Sequence, residues 1–230
     1  MRPSALFMDC YGTLLEGDRG VIEAVTHAAA RRVGVDEQLL DRAWWQRFRT
    51  LCGQRTGPAF GSQRELELEA MADVLQDFGE EASADELVDL LEPLFHYWRS
   101  AEPFADAVGF LRRWRICPVV IVSNIDRADL EQVLPSLPVV AGVVTSEDAR
   151  AYKPDAAVFR RALAMTGLTS DRVVHVGDSW ESDVVGATGA GITPVWLDRS
   201  GAVPSDRDRL AVARISVLTQ LPGCIESLSD

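Results

Sequence analysis

The feature that most constrains this chain is a short apolar run near the N-terminus that ends in a carboxylate. Residues 5–8 are Ala-Leu-Phe-Met, Asp9 follows directly, and Gly12 permits a sharp turn shortly afterwards. Such a run is typical of a strand buried on both faces of a parallel sheet. In open parallel sheets, ligands and chemistry gather at the carboxyl ends of the strands. The pattern therefore predicts a nucleophile or metal ligand at Asp9, with a simple turn or helix cap as the alternative.

The stretch from about residue 18 to residue 98 has helical periodicity and contains no convincing strand. Asp36 is positioned to cap a helix, and two capping boxes, Ser62 with Glu65 and Ser83 with Glu86, indicate two more helix starts. After Trp98 the pattern changes to alternating strands and helices, which predicts a parallel sheet wrapped by helices. Strands are predicted near 118–122, 139–144, 173–176, 193–197 and 213–217, and a short helix at 183–190.

The first strand belongs with the later sheet but is separated from it by the helical stretch. The simplest fold class is therefore α/β, with a parallel-sheet core formed by residues 1–17 and 100–230. An all-helical cap, residues 18–99, is inserted after the first strand. Two polar residues receive structural interpretations: Asp126 as the cap of the helix that follows it, and His175 as a core residue of an apolar strand.

Polar side chains recur where the predicted strands end or where the next helix begins. They are Asp9, Ser123 with Asn124, Lys153, and Asp178 with Asp183. Asp9 and Asp178 can share Mg²⁺, which favours carboxylate oxygens. Ser123 and Asn124 can donate hydrogen bonds to an anionic substrate. Lys153, the one lysine among 23 basic residues, can neutralise a phosphate or the charge that develops on it.

Composition excludes several classes of partner. The net charge of −12 and a pI near 4.7 argue against nucleic acid and anionic membrane surfaces, and favour a small anionic substrate held in a local cationic pocket. No apolar run approaches the ~20 residues that cross a bilayer, and no signal peptide is recognisable. Four separated cysteines without CxxC spacing favour a reducing compartment, so we expect a cytoplasmic protein, as a monomer or homodimer.

Four motifs, FMDCYGTL, VIVSN, YKPD and HVGDSWESD, stand in the order found in the haloacid dehalogenase superfamily, and the chain resembles its branch with an inserted helical cap. The resemblance covers essentially the whole length and implies a Rossmann-like core. It implies Asp9 as the nucleophile that forms a covalent aspartyl intermediate, Ser123 as the second-motif hydroxyl and Lys153 as the third-motif cation. It also implies an acidic fourth motif, Asp178 with Asp183, that binds Mg²⁺ together with Asp9 and the backbone carbonyl of residue 11.

Residue 11 is where this chain departs from the family's phosphatases, which carry there a second aspartate that transfers protons. With Tyr11, the first motif instead resembles that of the family's dehalogenases, which need no metal. The fourth motif, by contrast, resembles that of the family's phosphatases. A phenol, with a reference pKa near ~10, is a poor base at neutral pH. Three hypotheses of function stay open: a Mg²⁺-dependent phosphatase of a small phosphorylated metabolite, a metal-independent 2-haloacid dehalogenase, and a catalytically weakened binding or scaffold protein of the same fold.

Overall fold

A six-stranded parallel sheet forms the centre of the molecule in the computed structural model, which describes residues 2–200 and 213–228. The strand order is β3-β2-β1-β4-β5-β6, and every neighbouring pair is parallel. The strands are β1 Ala5–Met8, β2 Val119–Ser123, β3 Gly142–Thr145, β4 Val173–Gly177, β5 Thr193–Leu197 and β6 Ala213–Ile215. The predicted α/β, Rossmann-like class is confirmed, and Asp9 follows a strand at the middle of the sheet.

Both faces of β1 are buried, as its unbroken apolar sequence predicts. Leu6 and Met8 lie in one apolar cluster, whereas Ala5 and Phe7 lie in a second one on the other face. This alternation follows from the two-residue period of a strand. Because β1 is fixed on both faces and paired with β2 and β4, the position of Asp9 is strongly determined.

Four α-helices lie in the part of the chain predicted as a cap, between β1 and the helix Ala105–Arg113. They are α1 Arg19–Val33, α2 Glu37–Gln54, α3 Gln63–Asp77 and α4 Ala84–Ser100. Asp36 accepts hydrogen bonds from two backbone N–H groups at the start of α2, and both capping boxes form. We call this block the helical insert; its boundaries as a separate domain, 18–99, stay a prediction. No helix in the described ranges is both long and apolar enough to cross a bilayer.

The remaining helices pack around the sheet. They are α5 Ala105–Arg113, α6 Arg127–Val133, α7 Ser146–Ala149, α8 Ala156–Thr166, α9 Gly186–Gly189 and α10 Leu221–Ser227. The strand predicted at 139–144 begins only at Gly142, since Val139 is fully exposed and cannot belong to the buried sheet. The helix predicted at 183–190 begins earlier, with a π-helical turn over Trp180–Val185.

Asp126 does not cap the helix that follows it, contrary to the sequence-based expectation. It precedes α6, but its carboxylate makes no cap hydrogen bond there. Instead it accepts the backbone N–H groups of Gln63, at 2.8 Å, and Arg64, at 3.1 Å, which are the first residues of α3. A carboxylate at a helix N-terminus satisfies orphan N–H groups and is favoured by the helix dipole. Asp126 therefore connects the start of α3 in the helical insert to the loop that follows β2.

Candidate active site

Lys153 lies between two carboxylates at the carboxyl edge of the sheet. Its Nζ atom donates to Asp9 Oδ1 and to Asp183 Oδ1, each at 2.6 Å, and to the backbone carbonyl of Val122 at 3.0 Å. An ammonium has three N–H groups, so all of them are used. The four residues come from four separate parts of the chain, and all of them are buried. The structure thus brings together the predicted nucleophile, the predicted cation and one predicted metal ligand.

The backbone of Lys153 is held by the side chain of Asn124. The amide oxygen of Asn124 accepts the Lys153 N–H at 2.7 Å, and its NH₂ group donates to the Lys153 carbonyl at 3.0 Å. Asn124 was predicted to contact substrate, but here its amide positions Lys153. The neighbouring Ser123 hydroxyl makes no hydrogen bond with any residue in the described part of the chain, which leaves it available for a ligand.

Asp178 approaches the first-motif loop from the end of β4. The hydroxyl of Thr13 donates to its Oδ1 atom at 3.0 Å. Gly12 has φ = +85°, and a Cβ atom there would lie 2.5 Å from Asp178 Oδ2. Only glycine tolerates both the left-handed backbone and this close approach. The glycine of the first motif therefore allows the loop after Asp9 to close over the fourth-motif carboxylate.

His175 belongs to the site, which the sequence-based interpretation missed. It is fully buried, as expected of a core residue, yet its Nε2 atom lies 2.9 Å from Asp183 Oδ1. The backbone N–H of Ser179 donates to the other oxygen of Asp183 at 3.0 Å. An ionisable ring in an otherwise apolar strand, shortly before an acidic motif, was the signal that could have revealed this contact. His175 and Ser179 fix the orientation of Asp183.

The charges of the cluster shift its pKa values in opposite directions. Burial raises the pKa of Asp178 to about 8, and the negative charges of Asp9 and Asp183 add to this effect. Burial also raises the pKa of Asp9, although the positive charge of Lys153 opposes it. Burial alone would raise the pKa of Asp183, but charge and hydrogen bonding from Lys153 and His175 hold it well below its usual value. Among the described residues, Asp178 is thus the one carboxylate of the three without an ion-pair partner, although the charge of Lys153 lowers its pKa slightly.

These residues fit a divalent cation. One carboxylate oxygen from each of Asp9, Asp178 and Asp183 lies within 4.8 Å of the others, a separation that allows them to share one ion. Burial and the two neighbouring carboxylates raise the pKa of Asp178, an effect that a bound cation would oppose. The backbone carbonyl of Tyr11 accepts no hydrogen bond from the described residues, which leaves it free to coordinate. A donor set made only of oxygens suits Mg²⁺.

The side chain of Tyr11 makes structural contacts with the end of α4. Its hydroxyl donates to the backbone carbonyl of Trp98 at 2.5 Å, and its ring meets that of Tyr97 edge-on at 5.9 Å. Burial raises the pKa of the phenol far above its usual value. The structure therefore shows a tyrosine that links the first-motif loop to the end of α4, and it gives no support for a phenol that acts as a general base.

Three arginines of the helical insert, Arg47, Arg49 and Arg55, are already paired with carboxylates. Arg47 contacts Asp77 at 3.0 Å, and Arg55 contacts Glu69 at 2.7 Å. Arg49 lies 3.6 Å from Glu181. A substrate carboxylate would have to displace one of these partners to bind an arginine of this group.

Curated relatives are similar to this chain over only part of their length. Haloacid dehalogenase-like hydrolase domain-containing protein 3 of Danio rerio is 34% identical over 113 residues, which is 48% of this chain and 46% of that protein. Phosphoserine phosphatase of Thermus thermophilus is 35% identical over 79 residues, or 34% of this chain and 31% of that one. The chain thus spans less than half the length of the curated relatives it matches.

Solved structures share the fold over nearly the whole chain. The L-2-haloacid dehalogenase of Xanthobacter autotrophicus has a TM-score of 0.72 at 18% identity, covering 97% of this chain and 98% of that one. A HAD phosphatase of Thermococcus onnurineus has a TM-score of 0.62 at 20% identity, covering 96% and 97%. At such low identity these likenesses establish the architecture alone. The sequence profile of the haloacid dehalogenase-like hydrolases matches residues 3–191, and the chain therefore belongs to this family of hydrolases.

Proposed function

We propose that this hydrolase is a Mg²⁺-dependent phosphatase that acts on a small phosphorylated metabolite through an aspartyl-phosphate intermediate. The observation that carries this proposal is the cluster of Asp9, Asp178 and Asp183, whose oxygens lie within 4.8 Å of one another, with Lys153 bound to Asp9 and Asp183. Phosphoryl transfer needs positive charge against an anionic group, and an acidic cluster that holds a cation supplies it. We include a cytoplasmic location and a monomer or homodimer in the proposal.

Asp9 is the nucleophile in this reaction. Lys153 binds only its Oδ1 atom, so the second oxygen is left to attack phosphorus. That attack forms the Asp9–phosphorus bond and breaks the ester bond, and the leaving oxygen takes a proton from water. A water molecule then cleaves the acyl phosphate, which releases inorganic phosphate and restores the carboxylate. Lys153 holds the nucleophile in place throughout, because it is anchored to Asp183 and Val122 as well.

The other residues bind the phosphoryl group or the metal. The unpaired hydroxyl of Ser123 donates to a phosphate oxygen, and Asn124 contributes by positioning Lys153. Mg²⁺ would be held by Asp9, Asp178, Asp183 and the Tyr11 carbonyl, where it would neutralise the charge of the phosphoryl group. The Tyr11 phenol, which donates to the Trp98 carbonyl, does not replace the proton-transfer aspartate that the family's phosphatases carry at this position. Loss of such help typically costs ~10²–10⁴ in rate, so we expect a preference for esters with good leaving groups.

Phosphate release from p-nitrophenyl phosphate tests this function. We expect activity with Mg²⁺, loss of activity on chelation, and loss in Asp9→Asn even with excess metal. Asp171→Asn is the matched control, since this exposed carboxylate precedes β4 at the opposite edge of the sheet. Absence of Mg²⁺ binding by calorimetry, or equal activity of Asp9→Asn and Asp171→Asn, would contradict the proposal.

A 2-haloacid dehalogenase is the second candidate, and Tyr11 is the observation that favours it. In that reaction Asp9 would displace halide from carbon, and water would then cleave the ester. The pairing of Arg47 and Arg55 with carboxylates weighs against it, because a haloacid needs a cationic partner for its own carboxylate. Halide release from 2-chloropropionate without added metal would establish it. Stabilisation by phosphate analogues without any turnover would instead identify a binding protein of the same fold.

A further inference from the structure

A cavity of about 650 Å³ lies among the four helices of the insert, and its lining is acidic. Five carboxylate side chains contribute to the wall, and no lysine or arginine does among the described residues. Glu37 has a partner, since its Oε1 atom lies 2.6 Å from His27 Nδ1. The other four have no ion-pair partner in the described ranges: Asp18, Glu23, Asp41 and Glu67. The described part of the cavity wall therefore offers carboxylates without a lysine or arginine beside them.

Two buried polar groups in the same wall have no hydrogen-bond partner. The hydroxyl of Thr26 and the indole N–H of Trp44 are unpaired, although both residues are only 3% exposed. Buried polar groups in folded proteins are nearly always paired, so unpaired ones that line a cavity point to a ligand or to bound water. The amide oxygen of Gln63, also in the wall, is a third unpaired atom.

Glu67 is the most deeply buried carboxylate of this cavity, at 6% exposure. Burial and the nearby charge of Asp18 raise its pKa to about 8, and the Trp44 indole, which lies near this carboxyl but outside hydrogen-bond geometry, offsets the rise only in part. A carboxyl kept at this depth without a cationic partner is costly to ionise, and a bound cation would reverse that cost.

Aromatic rings complete the wall. Trp44, Phe48 and Trp98 line the cavity, and Trp45 stands at its more exposed side. Aromatic faces attract organic cations through their quadrupole, most strongly when the cation is shielded from water. Carboxylates combined with tryptophan faces favour an alkylammonium group over a metal ion, which would gain nothing from the rings.

Two hydrogen bonds connect this cavity to the catalytic edge. Trp98 accepts the hydroxyl of Tyr11, which lies two residues after the nucleophile. The backbone N–H of Gln63 donates to Asp126, which lies three residues after Ser123. The cavity wall is therefore attached to both loops that would hold a phosphoryl group.

We propose that this cavity binds the ammonium group of the substrate, so that the enzyme acts on phosphate monoesters of amino alcohols, including quaternary ones. The inference rests on the proposed phosphatase function for the reaction, but the cation site itself stands on the geometry of the insert. Glu67 and Asp18 supply the charge, and Trp44 and Trp98 supply the aromatic faces.

Binding of tetramethylammonium to the full chain tests the site without any turnover. We expect saturable binding by calorimetry, weakened at least about tenfold in Glu67→Gln. Asp41→Asn, at the rim of the cavity, is a second variant in case Glu67→Gln fails to fold. Glu81→Gln is the matched control, because this exposed residue lies outside the cavity. Equal affinity of wild type, Glu67→Gln and Asp41→Asn would overturn the assignment, as would absence of binding.

Kinetics with a matched pair of esters test the substrate class. Choline phosphate and 3,3-dimethylbutyl phosphate have the same shape but differ in charge. We expect kcat/KM to be at least about tenfold higher for choline phosphate, with the ratio reduced toward one in Glu67→Gln. Equal kcat/KM values for the two esters in wild type would overturn the inference about the ammonium site, while the proposed phosphatase function would stand. Failure to hydrolyse either ester or p-nitrophenyl phosphate, with tetramethylammonium still bound, would overturn the phosphatase and support the cation site.

Discussion

The hydroxyl of Tyr11 donates a hydrogen bond of 2.5 Å to the backbone carbonyl of Trp98, which lies 87 residues away in the sequence. Tyr11 follows Asp9, the proposed nucleophile, by two residues, and Trp98 lies in the last turns of α4. This hydrogen bond therefore joins the first-motif loop to the helical insert. Tyr11 is the residue that makes the first motif resemble that of the dehalogenases, whereas the acidic cluster resembles that of the phosphatases. The backbone carbonyl of Tyr11 is free to coordinate a metal ion, and its phenol hydroxyl binds the helical insert.

Replacement of Tyr11 by aspartate should raise phosphatase activity. The variant keeps the backbone carbonyl and adds a carboxylate that can transfer a proton to the leaving group, so we expect an increase in kcat of ~10-fold or more for alkyl phosphates. Rates with Mg²⁺, measured for an alkyl and an aryl ester, check this. Tyr11→Phe is the control, because it also loses the bond to Trp98 but gains no acid. An aspartate variant no faster than the phenylalanine variant would mean that another group already transfers the proton.

The sequence predicts those features of the fold that depend on neighbours in the chain. The cap of α2 illustrates this, since Asp36 binds N–H groups two and three residues later. The sheet and its polar edge were equally predictable, because apolar runs followed by Asp9, Ser123 or Asp178 indicate buried strands with functional ends.

Contacts between distant parts of the chain were not predictable in this way. Asp126 precedes a helix and was assigned to it, yet its partners are 62 and 63 residues away. His175 has the apolar neighbours of a core residue, and its contact with Asp183 depends on a π-helical turn that periodicity does not reveal. The cavity lining also comes from four helices whose relative packing no local pattern determines.

Removal of the Asp126 carboxylate should disturb activity as well as stability. Asp126→Ala frees the first N–H groups of α3 and releases the insert from the loop after β2, so we expect a loss of about 0.5–2 kcal/mol in the free energy of unfolding and a higher KM. Asp36→Ala is the matched control, because it removes a similar cap inside the insert. We expect it to cost comparable stability, measured by urea unfolding, with KM unchanged. Identical kinetic effects of the two variants would contradict a connecting role for Asp126.

Lys153→Met should be among the most destabilising single substitutions. It leaves Asp9 and Asp183 buried without their common cation, and removing one member of a buried ion pair typically costs ~3–5 kcal/mol. Urea unfolding of the apo protein measures the loss. Arg160→Met removes a positive charge from an exposed side chain whose closest carboxylate, on Asp155, is 3.9 Å away, and we expect a change within about 0.5 kcal/mol. Equal losses in the two variants would contradict the structural importance of the Lys153 contacts.

Glu67 should make stability depend on pH. Burial raises its pKa from 4.5 to about 8 in the folded protein, with Asp18, Trp44, Cys52 and Tyr152 around it. A raised pKa means that the folded state holds its proton more tightly. The contribution of Glu67 is thus fully present below about pH 4.5 and is lost as the pH rises through about 8. We expect wild type to lose a few kcal/mol relative to Glu67→Gln between about pH 6 and about pH 9, measured by urea unfolding. The comparison with the variant removes the effect of Asp178, which titrates in the same range in both proteins. A stability difference that stays constant across this interval would show that Glu67 is ionised in the folded protein and already paired.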